Sequence, residues 1–200
     1  MRDVTLAVAV EIGCRTIRAR PHLEAIASDA EALMRALGVA RAELSLSFVT
    51  DRAIRRLNRD FRGKDRATDV LSFPQFGPES VLVEAGRGAI APVPLGDIVI
   101  SIETAARQAR ELNVETGARL RTLLIHGMLH LLGYDHEGSE ADARRMFALE
   151  HEMATRLAGG RTRKTGSRAK SGWSPAAMPQ PRRARGPQPQ ARKRAGAKTR

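Results

Sequence analysis

Cysteine, aromatic side chains and long apolar runs are what this chain has least of. The single Cys14 excludes an internal disulfide and fits a reducing compartment. Aromatics make up 4% of the 200 residues, so the core must be built mostly from Leu, Val, Ile, Ala and Met. The 42% hydrophobic content is enough to fill one. No apolar stretch approaches the roughly 20 residues that a membrane span needs. The N-terminal segment is broken by Glu11 and lacks the charged, apolar and small-residue order of a signal peptide. These absences predict a soluble, cytoplasmic protein without membrane contact.

Acid is missing from one region altogether. From Gly159 onward there are 13 Lys and Arg residues and no Asp or Glu. The overall +12 is therefore misleading, because residues 1–158 hold 21 basic against 22 acidic side chains. The chain divides into a near-neutral globular domain, 1–158, and a basic tail, 159–200. The tail also holds six Gly, five Pro and a single aromatic, Trp173. Such a composition buries too little apolar surface to offset its conformational entropy, which predicts disorder. Its function, if it has one, is non-specific attraction to phosphates through counterion release.

Within the domain, periodicity predicts mixed elements. Residues 3–10 suit a first strand and 11–20 a connection. Pro21 suits the first turn of a helix, in which Leu23, Ile26, Ala30, Leu33 and Met34 keep helical spacing up to Gly38. Residues 43–50 alternate, with Leu44, Leu46 and Phe48 on one face and Ser45 and Ser47 on the other. Thr50 or Asp51 caps the next helix, with Ile54 and Leu57 facing inward. Residues 61–66 read as a loop. A strand over 69–73 stops at Pro74, and the Pro- and Gly-containing 74–94 reads as a long loop with a brief strand at 81–83. Residues 95–100 form a further strand. Helices follow from Ser101 or Thr104 to Asn113, over 116–132, and after a Ser139 cap, where Met146, Leu149, Met153 and Leu157 mark the core face. The order βαβαββααα predicts a single small α+β domain with a mixed, about four-stranded sheet packed on helices. No glycine-rich fingerprint lies between a strand and a helix, so nothing points to a nucleotide-binding fold.

The chemistry concentrates in His126-Gly127-Met128-Leu129-His130-Leu131-Leu132-Gly133-Tyr134-Asp135-His136, which holds three of the five histidines. Positions 126 and 130 lie on one helical face, roughly 6 Å apart along the axis. Gly133 can take a positive φ and turn the chain, so that His136 returns toward the pair. Three neutral imidazoles suit a tetrahedral zinc ion with a fourth position open, the pattern of a catalytic site. The spacing H-x-x-x-H-x-x-G-x-x-H is also that of metzincin proteases, which carry a Glu general base directly after the first His. Here that residue is Gly127.

A second stretch, Leu57-Asn58-Arg59-Asp60-Phe61-Arg62-Gly63-Lys64-Asp65-Arg66-Ala67-Thr68-Asp69-Val70-Leu71-Ser72-Phe73-Pro74, followed by Leu95-Gly96-Asp97-Ile98-Val99-Ile100, completes a resemblance. Together with the histidine window, these segments resemble the YbeY family of bacterial metal-dependent endoribonucleases over about residues 1–158. The resemblance implies a small α+β fold distantly like zinc metalloproteases. It implies one Zn2+ held by His126, His130 and His136, and Arg62 as the functionally important arginine. It also implies single-stranded RNA as substrate, notably the 3′ end of the small-subunit (16S) ribosomal RNA precursor, and a part in quality control of ribosomal particles. The basic tail lies outside the family pattern.

On this reading Arg62 clamps the scissile phosphate beside the metal, because its planar fork matches phosphate bidentately, and Lys64 is a second phosphate contact. The general base stays open, since water and the RNA 2′-OH are both eligible nucleophiles. Asp135 is either a partner of an imidazole or a base. Asp69 and Asp97 read as structural residues at strand ends, His22 and His151 as surface or helix residues, and Cys14 has no assigned role. Two alternatives remain: a metzincin-like zinc protease, and a non-catalytic ribosome assembly factor with structural zinc.

Overall fold

The structure is a computed structural model that describes residues 9–14, 16–77, 93–136 and 139–161. Four strands form one sheet: β1 (Ala9–Cys14), β2 (Ala42–Val49), β3 (Val70–Pro74) and β4 (Val93–Ser101), in the order β1-β2-β4-β3. β1, β2 and β4 are parallel, and β3 pairs antiparallel with β4 at the edge. Among the described residues five α-helices accompany it: α1 (Leu23–Ala36), α2 (Asp51–Arg62), α3 (Ile102–Glu111), α4 (Thr116–Leu131) and α5 (Glu140–Arg161). This is the expected α+β architecture in the expected element order.

Alternation along the strands decides which helix covers which face. Leu44, Leu46 and Phe48 of β2 join Ile98 and Ile100 of β4 in the main core, which α1, α4 and α5 close with Leu33, Leu124 and Met153 among others. The odd-numbered neighbours Val49, Leu71 and Val99 turn to the opposite face, where Ile54 of α2 packs on them. Burying each such aliphatic chain contributes about 1.5–3 kcal/mol. The core is nearly free of aromatic rings, as the composition requires: among the described residues Phe48 and Tyr134 are its only buried aromatic members.

Three local expectations are corrected. β1 continues through Cys14 into the segment expected as a connection, because Val10 and Ile12 face the core while pairing with Leu44 and Leu46. Pro21 does not begin α1. It lies inside a 3-10 helix, Ile17–His22, that leads into Leu23; short 3-10 turns are common at helix starts. Arg62 is not in a loop, because α2 extends to it and ends at Gly63, φ 67°. There Gly63 N–H donates to Arg59 O and Lys64 N–H to Asn58 O, satisfying the last carbonyls. Caps elsewhere match expectation: Thr50 accepts from Ala53 N–H, Ser101 from Thr104 N–H and Ser139 from Asp142 N–H. α5 runs to Arg161, three residues beyond the expected domain limit. The expected strand residues 3–8, the brief strand at 81–83 and the tail beyond 161 lie outside the described residues.

Candidate metal centre

α4 is the central helix of the main core, and its last turn carries the site. Leu123, Leu124, Met128, Leu129 and Leu131 anchor it beneath the sheet. His126 and His130 therefore emerge together at its half-buried C-terminal end. Gly133 adopts φ 82°, with its N–H donating to His130 O and that of Tyr134 to Leu129 O. That turn brings His136 back, so that its ring centroid lies 5.3 Å from each of the other two. The sequence-predicted ligands are thus brought together.

The donor set fits a metal ion. The Nε2 atoms of His126 and His130 face each other at 3.1 Å. Two nitrogens bound to one tetrahedral zinc lie roughly 3.3 Å apart, given bonds of 2.0–2.1 Å. One candidate ligand atom from each histidine lies within 4.8 Å of the others. Nδ1 of His136 is buried without a hydrogen-bond partner, a costly state for a polar atom that nothing else satisfies. Burial, then the neighbouring His126 and His136, push the His130 pKa down, opposed by Asp135 and a main-chain hydrogen bond at Tyr134. A neutral ring is the form that offers a lone pair. Among the described residues no fourth His, Cys, Asp or Glu joins the group.

Gly127 acquires a physical reason. Helix α4 lies so close to the sheet here that a Cβ at 127 would sit 3.0 Å from Ser72 Oγ and 3.1 Å from Ile98 Cγ2. Ser72 Oγ donates to the Gly127 carbonyl at 3.1 Å, clamping β3 to the helix. The position that bears the protease general base is here tightly packed against β3 and β4, so a side chain at 127 requires Ser72 and Ile98 to give way by a few tenths of an ångström. The protease alternative lacks its base by sequence, and the packing at this position disfavours a side chain there.

The histidines open on a cleft of about 640 Å³. Its walls include Arg62 at the end of α2, Asp69 and Phe73 around β3, and His126, His130 and His136. The two stretches singled out in the sequence, about sixty residues apart, thus form one surface. A family profile for Endoribonuclease YbeY matches residues 15–158. The chain belongs to the YbeY family. An Endoribonuclease YbeY from Anaeromyxobacter sp. (strain Fw109-5) is 48% identical over 74% of this chain and 71% of that protein. Another, from Anaeromyxobacter dehalogenans, is 54% identical over 62% of this chain, which spans only 59% of that relative. The solution structure of a Thermotoga maritima protein is similar in fold, with a TM-score of 0.54 and 25% identity over 82% of this chain and 99% of that one.

Within this YbeY domain, one residue in contact with the histidine cluster escaped the sequence reading. Glu150 of α5 accepts from Nδ1 of His126 at 2.7 Å. A proton held there leaves the His126 Nε2 lone pair directed at the cluster, the usual way a carboxylate orients a metal-binding imidazole. The signal was present: Met146, Glu150, Met153 and Leu157 follow helical core spacing, and an acid at an apolar position needs a partner.

The remaining candidates divide. Asp135 is exposed on the cleft wall and acts electrostatically on His130. Asp69 holds structure, as expected, accepting from the Val70 N–H, Gln108 and Arg119. Asp97 is half-buried inside β4 opposite Phe73, not at a strand end. Lys64 is exposed but does not line the cleft. His22 and His151 lie outside the histidine group. Asn58, buried in α2, donates to Arg66 O at 2.8 Å and pins the segment after Arg62.

Proposed function

We propose that this YbeY-family chain is a zinc-dependent endoribonuclease that cleaves single-stranded RNA in ribosomal RNA maturation. Its substrate class includes the 3′ end of the small-subunit precursor and the RNA of defective ribosomal particles, and it works in the cytoplasm. The observation that carries this is the shared cleft: Arg62 and the three histidines line one open surface.

His126, His130 and His136 would hold the ion. Zn2+ bound there supplies Lewis-acid chemistry, polarising a phosphoryl oxygen or lowering the pKa of bound water to roughly 7. Arg62 binds the scissile phosphate through paired N–H donors and neutralises charge that grows at phosphorus. Its place in the last helical turn, behind the Gly63 cap, fixes where the guanidinium starts. Glu150 keeps the His126 proton on Nδ1. Asp135 stands at the cleft edge, where it can accept a proton from the attacking group.

The test is cleavage of a defined single-stranded ribosomal RNA precursor alongside metal content. Arg62→Ala should lose at least about a hundred-fold in kcat, consistent with removal of a transition-state donor, while retaining the metal. His130→Ala should lose the metal and activity together. Full activity in the first variant, or full metal occupancy in the second, refutes the assignment.

A further inference from the structure

Phenylalanine is among the residues most often buried in proteins. In this chain only Phe48 of the five is fully buried. Phe61 is 68% exposed, although the aromatic-poor core had every use for another ring. Its position is not arbitrary. Phe61 and Arg62 are the last two residues of α2, and both line the cleft that contains the histidines. The Phe61 ring is held edge-on by Phe73 of β3, with centroids 5.1 Å apart and planes inclined at 66°. Phe73 is in turn fixed in the small core cluster between α2 and the sheet. An exposed ring is thus braced from one side and left open to solvent.

We propose that Phe61, braced by Phe73, forms a nucleobase-stacking subsite beside Arg62, which holds one unstacked base of the substrate strand within the metal cleft. The subsite rests on the RNA reading above and specifies how that substrate is selected. A nucleotide presents an anionic phosphate and a flat base. The end of α2 presents a guanidinium and an aromatic ring on successive residues. Stacking on an aromatic side chain tolerates any base sequence but requires a base freed from its neighbours. A duplex keeps its bases stacked inside and cannot supply one. Phe61 therefore contributes preference for single strands without sequence preference, while Arg62 acts on the phosphate.

The full-length, zinc-loaded protein tests this with a single-stranded oligoribonucleotide and with the same strand annealed to its complement. Phe61→Ala should raise KM for the single strand about 5- to 100-fold, with a smaller change in kcat and unchanged zinc content and melting temperature. The ratio of single-strand to duplex cleavage should fall. Phe61→Trp should restore both, because it keeps an aromatic face. Phe61→Leu should not, because it keeps only apolar bulk. Wild-type KM and strand preference in Phe61→Ala, or equal rescue by Leu and Trp, overturns the subsite while RNA cleavage by the parent protein stands. A parent protein that neither binds nor cleaves RNA overturns the RNA reading and the subsite with it.

Discussion

Single residues carry the chemistry here, and their legibility depended on whether their partners were near in sequence. The three histidines were readable because a helix and one glycine turn are enough to gather them. Glu150 was not, because its partner is 24 residues away on another helix and only the packing of α5 against α4 joins them. Gly127 was readable as a missing base, but the tight packing there, where a Cβ would lie 3.0 Å from Ser72 Oγ, belongs to the sheet. Glu150→Ala should weaken zinc affinity by about 10- to 100-fold, the usual effect of removing a carboxylate that orients a ligand imidazole. Competition with a chromogenic chelator measures it. Affinity equal to that of the parent protein would show that the His126 ring is held by the fold alone.

At the scale of elements, the cleft depends on how β3 is fixed against α3 and α4. Asp69, just before β3, does much of this, with Gln108 of α3 and Arg119 of α4 both donating to its Oδ2 at 3.1 Å. Burial alone would raise the Asp69 pKa, but the hydrogen bonds from Gln108 and the main chain, with the Arg119 charge, hold it below the ordinary carboxylate value. A pKa depressed by folding gives stability that is present above the unfolded value of about 3.9 and lost as pH falls through the folded one. Asp69→Asn should therefore melt lower than the parent protein at pH 7, by about 1–3 kcal/mol. The gap should begin to narrow below about pH 4 and close as pH falls through the depressed folded value. Melting curves of both proteins between pH 2 and 8 decide it, and a gap that persists at pH 2 would assign the loss to shape and not to charge. The sequence indicated the strand and a local role for Asp69. It did not indicate Gln108 and Arg119, 39 and 50 residues away, because such pairings are set by helix docking. Likewise Arg62 was legible as a residue but misplaced in a loop, since α2 runs two residues further, to the Gly63 cap.

On the scale of the whole molecule, charge is divided between a near-neutral domain and a strongly basic terminal segment. We propose that residues 1–158 are the catalytic domain and that the basic segment is an RNA tether. Truncation after Arg161, where α5 ends, should weaken binding to ribosomal RNA and flatten its dependence on salt concentration, because fewer counterions are released. Zinc content and kcat on a short oligonucleotide should be unchanged. Binding titrations across 50–200 mM salt make the comparison, and identical slopes for both forms would exclude the tether. Among the described residues no helix is long and apolar enough to cross a membrane.

The sequence by itself determined the element order, the core-facing residues and the three histidines that gather at one point. Periodicity and short-range spacing act within one element or across one turn, where backbone geometry is nearly fixed. Only the tertiary structure decided that the segment ending in Arg62 and the histidine window face one cleft, that Glu150 hydrogen-bonds His126, and that helix and sheet pack closely at Gly127. Those are relations between elements distant in the chain, and they exist only once the apolar faces of the sheet and helices have been buried against one another.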